Sequence, residues 1–173
     1  MKLNNLIFTA LAGFSIILAG CQNNDENEQH YDNKLFISAS NFTKEILFKA
    51  GDTNVETGLS VAIAKPEKHD IKVTMSPAPE LLSTYKQAYY DETAVLLSEE
   101  HYSMPETSTT IKSGSIVSPE LPIEFINTGE LDIKTTYVLP VTIKSVEGIG
   151  VLQSAKTYYY VFRGASLINV VCN

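Results

Sequence analysis

Apolar residues follow two regimes along the chain. The first is a run from Leu6 to Leu18, preceded by the single charge of Lys2 and broken only by small or polar residues such as Thr9, Gly13 and Ser15. The second begins at Leu35, where apolar positions recur mostly with period two and turn residues interrupt them every ten residues or so. Side chains two apart share one face of a strand, so Leu35 with Ile37, Ile46 with Phe48, and Ile71, Val73 with Met75 each predict a strand with one wet face. Leu59, Val61 and Ile63, after the Gly58 break, predict another. After the turn Ser76-Pro77-Ala78-Pro79 the period changes. Leu81 or Leu82, Tyr85 and Tyr89 stand three to four apart, which predicts a short helix over 80–90, with Pro79 suited to its first turn. Strands resume over 94–97, 102–104, 109–112, 121–125, 137–144 and 156–163. Gly114, Gly129 and Gly148-Ile149-Gly150 are read as turns because glycine tolerates positive φ. Pro122 and Pro140 lack the amide proton that a ladder needs, so their strands are expected to be edges or to carry the proline at a bulge. The whole is the pattern of an all-β sandwich or barrel with one short helix.

The N-terminal run ends in Leu18-Ala19-Gly20-Cys21, which is the pattern of a lipoprotein signal peptide over residues 1–20. Small residues at 19 and 20 fit a signal peptidase, and the Cys21 thiol is the expected lipidation site and new N-terminus. The run is short for a membrane span, which needs about 20 apolar residues. Residues 21–34 then form an acidic tether: Gln22-Asn23-Asn24-Asp25-Glu26-Asn27-Glu28-Gln29 holds no apolar residue and cannot pack a core. Residues 35–163 are the sandwich domain, and 164–173 a C-terminal tail or the start of a further module. The second cysteine, Cys172, has no partner and no charged neighbour to make it reactive.

Of 173 residues, 44% are hydrophobic and 19% charged, the balance of an ordinary globular domain. With 13 Lys+Arg against 20 Asp+Glu the net charge is -7, and removing residues 1–20 takes away one more Lys. Such a domain is not drawn to phosphates, so nucleic acid is not an expected partner and the membrane contact is the lipid on Cys21.

Catalytic constellations are sparse. His30 lies in the tether, while His69 and His101 read as solvent-side residues of turns or strand ends. No zinc-ligand spacing, Gly-x-Ser-x-Gly elbow or phosphate loop is present, so neither a metal nor any other cofactor is expected. Asp91-Glu92 and Glu99-Glu100 are adjacent pairs whose members point apart on a strand, unlike the facing carboxylates of a glycosidase. A non-enzymatic chain is expected. The aromatic content, nine Tyr and seven Phe without Trp, offers one binding surface. In Tyr158-Tyr159-Tyr160-Val161-Phe162 the odd member Tyr159 faces away from Tyr158, Tyr160 and Phe162. Tyr159, Tyr89 and Tyr90 are therefore the candidate ligand contacts, because sugars stack their C–H faces on aromatic rings.

Several segments together resemble a known family. They are Leu81-Leu82-Ser83-Thr84-Tyr85, Ala94 through Tyr102, Thr110-Ile111-Lys112-Ser113-Gly114, Tyr137-Val138-Leu139-Pro140-Val141-Thr142-Ile143 and Thr157-Tyr158-Tyr159-Tyr160-Val161, in the family's order. The family is the N-terminal domain of Bacteroidota surface lipoproteins, of the kind found ahead of a family 18 endo-β-N-acetylglucosaminidase and in lectin-like glycan-utilisation lipoproteins. Ser98 departs from the family's frequent Pro, and Lys86 from its frequent Asn. The resemblance implies an immunoglobulin-like β-sandwich. It also implies a lipid-anchored outer-membrane location, the acidic residues behind Cys21 resembling the signal that directs lipoproteins to the cell exterior. Glycans and other outer-membrane glycan-uptake proteins are the partners it implies. The family-18 signature Asp-x-x-Asp-x-Asp-x-Glu is absent. The first expectation is a non-catalytic spacer or accessory domain in glycan acquisition. The others are a carbohydrate-binding module in its own right, and an adhesive subunit that pairs through edge strands near Pro122 and Pro140.

Overall fold

A computed structural model describes residues 32–165. Cys21, Cys172, the leader, most of the tether and the end of the tail lie outside the described residues. In chain order the strands are β1 (Lys34–Ile37), β2 (Thr43–Phe48), β3 (Val55–Leu59), β4 (Val61–Ile63) and β5 (Ile71–Pro77). The helix α1 (Leu82–Tyr89) follows, then β6 (Val95–Leu96), β7 (Tyr102–Ser103), β8 (Ser108–Ile111), β9 (Leu121–Phe125), β10 (Tyr137–Val146), β11 (Gly150–Val151) and β12 (Thr157–Gly164).

One layer is a sheet in the order β2-β12-β10-β5-β8, with β6 lying parallel to the start of β10. The opposing layer consists of two three-stranded pieces, β11-β1-β4 and β3-β9-β7. Their inward residues meet in one core. Leu35, Leu59, Val61, Leu121 and Phe125 from the small sheets pack with Ile71, Met75, Val141, Tyr160 and Phe162 from the large one. Phe125 bridges the layers with its ring 4.6 Å from Phe162 and 5.1 Å from Tyr160, both edge to face, the geometry that aromatic quadrupoles favour. The fold is an immunoglobulin-like β-sandwich with one short helix.

The strands anticipated from alternation are present, and the differences have local causes. Leu59, Val61 and Ile63 do not form one strand. The chain changes sheets at Ser60, because residues 55–59 pair with β9 while 61–63 pair with β1. The Ser60 carbonyl accepts from the Ser38 amide, and the Ser118 hydroxyl accepts from the Val61 amide, so these two backbone groups stay paired through the switch. Pro140 is not on an edge and not at the bulge of β10, which falls between Ile143 and Ser145. It lies in a central strand between β12 and β5. Its carbonyl accepts from the Ala78 amide, so its nitrogen faces the same side, where β6 ends at the Val138 register and β5 begins at Val141. No donor is missed there. Pro122 is in the middle strand of its sheet, but β7 pairs only with Glu124 and Phe125, leaving the proline's stretch paired to β3 alone. The edges of the large sheet are β2 and β8, so an edge-pairing surface near Pro140 is excluded.

Gly129 also departs from expectation. It does not have positive φ. Glycine is needed because its backbone lies against the Gly51–Asp52 loop, with the Gly129 amide donating to the Asp52 carbonyl at 3.1 Å, and a Cβ would collide with Asp52. His69 is exposed, whereas the His101 side chain is only 12% exposed. His101 joins the turn before β7 to the end of β9 by its ring Nδ1 and its carbonyl, both engaged with the Ile126 backbone.

Candidate functional site

At β12 and the first half of β10 the large sheet is covered on both faces. Odd and even positions of β12 alternate between them: Tyr158, Tyr160 and Phe162 enter the main core, and Tyr159, Val161 and Arg163 face α1. The helix starts from a tight turn over Pro79–Leu81, where proline's fixed φ suits the first residues and the missing N–H is not needed. Tyr85 then drops onto the sheet and, with Ala94, Val138, Tyr159 and Val161, makes a second small core. Burial of Tyr85 at 2% exposure is what holds α1 in place.

Tyr89, one turn later, completes a cluster of three rings. Its ring stacks on Tyr85 at 4.9 Å and 29°, and stands edge to face with Tyr159 at 6.0 Å and 72°. Tyr85 and Tyr159 are 5.4 Å apart. Burial pushes the phenols of all three above their ordinary value, with Arg163 partly opposing the rise at Tyr85. They stay neutral at physiological pH. Tyr89 is nevertheless 41% exposed, so the cluster presents one ring, already immobilised by its neighbours, to solvent. Tyr159 is at 7% exposure and serves as the buried support of that ring. Tyr90 closes the helix with φ 54 and ψ 34, and its side chain is 93% exposed and outside the cluster.

Tyr89 separates two depressions. The larger, about 300 Å³, runs between α1 and the turn before β12, lined by Phe42, Tyr89, Gln153, Ser154, Lys156 and Thr157 among others. Phe42 is 52% exposed, and its carbonyl accepts from the Tyr159 amide, which fixes the wall of the recess to its floor. The smaller, about 180 Å³, lies between Tyr85, Tyr89 and Arg163. Arg163 is committed there to two carboxylates, Glu45 and Asp91, each at 3.5 Å. Asp91 is thus a structural anchor, receiving also the Thr93 hydroxyl. Glu100 lies 3.7 Å from His101. A third depression, about 660 Å³, is on the outer face of β3 and β9, between Glu56, Glu120 and Glu124 over a floor of Gly58 and Pro122. Among the described residues no three His, Cys, Asp or Glu side chains converge as a metal site.

The structure therefore brings Tyr89 and Tyr159 together and leaves Tyr90 apart. Phe42, Gln153 and Lys156 were not singled out by the sequence, since Phe42 reaches Tyr89 through the parallel pairing of β2 with β12, which sets Thr43 beside Tyr159, and Gln153 and Lys156 reach it through the docking of α1 on Tyr159. The only local signal was an exposed-type aromatic, Phe42, just ahead of a strand.

Among solved structures, a candidate carbohydrate-binding protein from Bacteroides ovatus superposes with a TM-score of 0.67 at 18% identity, over 75% of this chain and 36% of that one. EndoBT-3987 of Bacteroides thetaiotamicron, solved with a Man5GlcNAc product, superposes with a TM-score of 0.62 at 19% identity, over 75% and 30%. A two-domain protein of unknown function from Bacteroides fragilis gives 0.59 at 15%, over 78% and 46%. The chain thus matches less than half the length of each. No curated protein matches the sequence. The model of an N-terminal domain family matches residues 31–150, most of the described strands. The chain belongs to that family, the N-terminal domains of the kind that stand ahead of a Bacteroides endo-β-N-acetylglucosaminidase.

Proposed function

We propose that this protein is a non-catalytic, lipid-anchored module on the outer face of the outer membrane, acting as a spacer or accessory domain in glycan acquisition. The family match over residues 31–150 carries this reading. Structures sharing the fold include a candidate carbohydrate-binding protein and an enzyme solved with a glycan product, and in each the matched part is a minority of a longer chain. The two adjacent acidic pairs also support it, since Asp91 is held by Arg163 and Thr93, and Glu100 lies beside His101. The leader ending in Cys21 and the acidic residues behind it support the address.

The test has an arm for each part. Metabolic labelling with a fatty-acid probe and protease shaving of intact cells should mark the wild-type chain and not Cys21→Ala. Incubation of the purified full chain with N-glycans and plant polysaccharides should release no sugar, and any turnover would overturn the non-catalytic assignment. A second reading, a carbohydrate-binding module in its own right, is favoured by one observation: the immobilised, half-exposed ring of Tyr89 beside a recess lined by hydroxyl, amide and ammonium-bearing residues.

A further inference from the structure

The three depressions differ in charge. The outer face of β3 and β9 carries Glu56, Glu120 and Glu124, and the small recess at Arg163 carries that cation already paired with Glu45 and Asp91. The recess beside Tyr89 is the opposite case. It is lined by Lys156 and by no Asp or Glu, although the chain has 20 acids against 13 Lys+Arg. Among the described residues Lys156 enters no ion pair. Beside it stand the amide of Gln153 and the hydroxyls of Ser154 and Thr157, with the rings of Tyr89 and Phe42 as apolar walls.

We infer that this recess takes a carboxylate-bearing sugar, one residue of a uronic acid polysaccharide or a terminal sialic acid, with the carboxylate toward Lys156 and the sugar's C–H face on Tyr89. The inference rests on the glycan-binding reading above and names its ligand class. The chemistry is complementary: a pyranose needs a flat apolar surface and several donors and acceptors, and a carboxylate needs a cation without a competing anion. A volume of about 300 Å³ suits one or two sugar rings, at the lower end of small-molecule sites. Tyr89 is held between Tyr85 and Tyr159, so its ring is already placed before a ligand arrives.

Calorimetry with the detergent-solubilised full chain decides the matter. The ligands are oligogalacturonide against its methyl ester, and sialyllactose against the methyl ester of its sialic acid, so that each acid has a neutral twin and the two sources are separated. At low salt, at least one acid should bind about tenfold or more tightly than its twin. Lys156→Gln should abolish that preference, Lys156→Arg should keep it, and Tyr89→Ala should remove binding of acid and twin alike. Equal binding of acid and twin would overturn the inference and leave the glycan-binding reading standing. A preference that survives Lys156→Gln would also overturn it, by moving the acid site elsewhere. Absence of binding by all four ligands would overturn both and leave the spacer reading. Thermal melts of Lys156→Gln that match the wild type show that its effect is not unfolding.

Discussion

Two tyrosines illustrate how differently one residue type can act. Among the described residues the buried Tyr160 hydroxyl makes no hydrogen bond of good geometry, and burial pushes its phenol well above the ordinary value, with the nearby Thr57 hydroxyl partly opposing the rise. An unpaired buried hydroxyl loses its water bonds without replacement. Tyr160→Phe keeps the ring against Phe125 and should raise stability by about 1 kcal/mol in urea titrations. A drop would mean that the hydroxyl has a partner. Tyr90 sits in the left-handed region where a Cβ crowds the backbone, at the helix end where glycine is the usual occupant. Tyr90→Gly should therefore stabilise the domain by about 1 kcal/mol, read as a higher melting temperature. If it does, the tyrosine is not retained for stability, and its loss can be scored for binding without a folding penalty.

At the scale of elements, α1 and β12 depend on close approaches. Tyr85 is the helix's buried anchor, and Tyr85→Ala would leave a cavity between helix and sheet that costs about 3 kcal/mol. Hydrogen exchange should show α1 amides losing protection first while the main core, which Tyr85 does not enter, retains it. Gly164, the last residue of β12, lies against the Ile133 backbone so closely that a Cβ has no room. Gly164→Ala should cost about 2 kcal/mol in chemical denaturation. These elements were unequally legible. Period two marked the β5 and β9 strands because each has one buried face, Ile71, Val73 and Met75 in one and Leu121, Ile123 and Phe125 in the other. The β12 strand is buried on both faces over five successive residues, Tyr158 to Phe162, so alternation could not tell that Tyr159 would be covered. The break at Ser60 was equally silent, since both halves keep the same period and only the pairing partners change.

For the whole molecule, the tyrosines predict a pH limit. Burial raises the phenols of Tyr85, Tyr89, Tyr102, Tyr158, Tyr159 and Tyr160 in the folded chain. An unfolded tyrosine ionises near about pH 10. Because the folded values are the higher ones, their contribution to stability is complete below the unfolded value and is lost as pH rises through the folded ones. Urea midpoints should be flat up to about pH 9.5 on this account and fall beyond it. The share of phenolate absorbance that belongs to these six rings should appear together with unfolding. A midpoint that does not move by about pH 11 would mean that the rings ionise without leaving their places.

The chain's alternation and turn residues by themselves determined an all-β sandwich or barrel with one short helix, because burial of one strand face is written locally, in every second residue. The residues Leu18 to Cys21 likewise set the expectation of a lipid anchor without reference to any fold. Only the tertiary structure decided that Pro140 could occupy a central strand, since the gap between β6 and β5 exists only once both have docked. It alone decided which aromatics form a surface: Tyr89 and Phe42 are 47 residues apart and meet across one recess because β2 pairs in parallel with the last strand. Long-range pairing has no local period, and a binding surface made of it becomes visible only when the strands are in register.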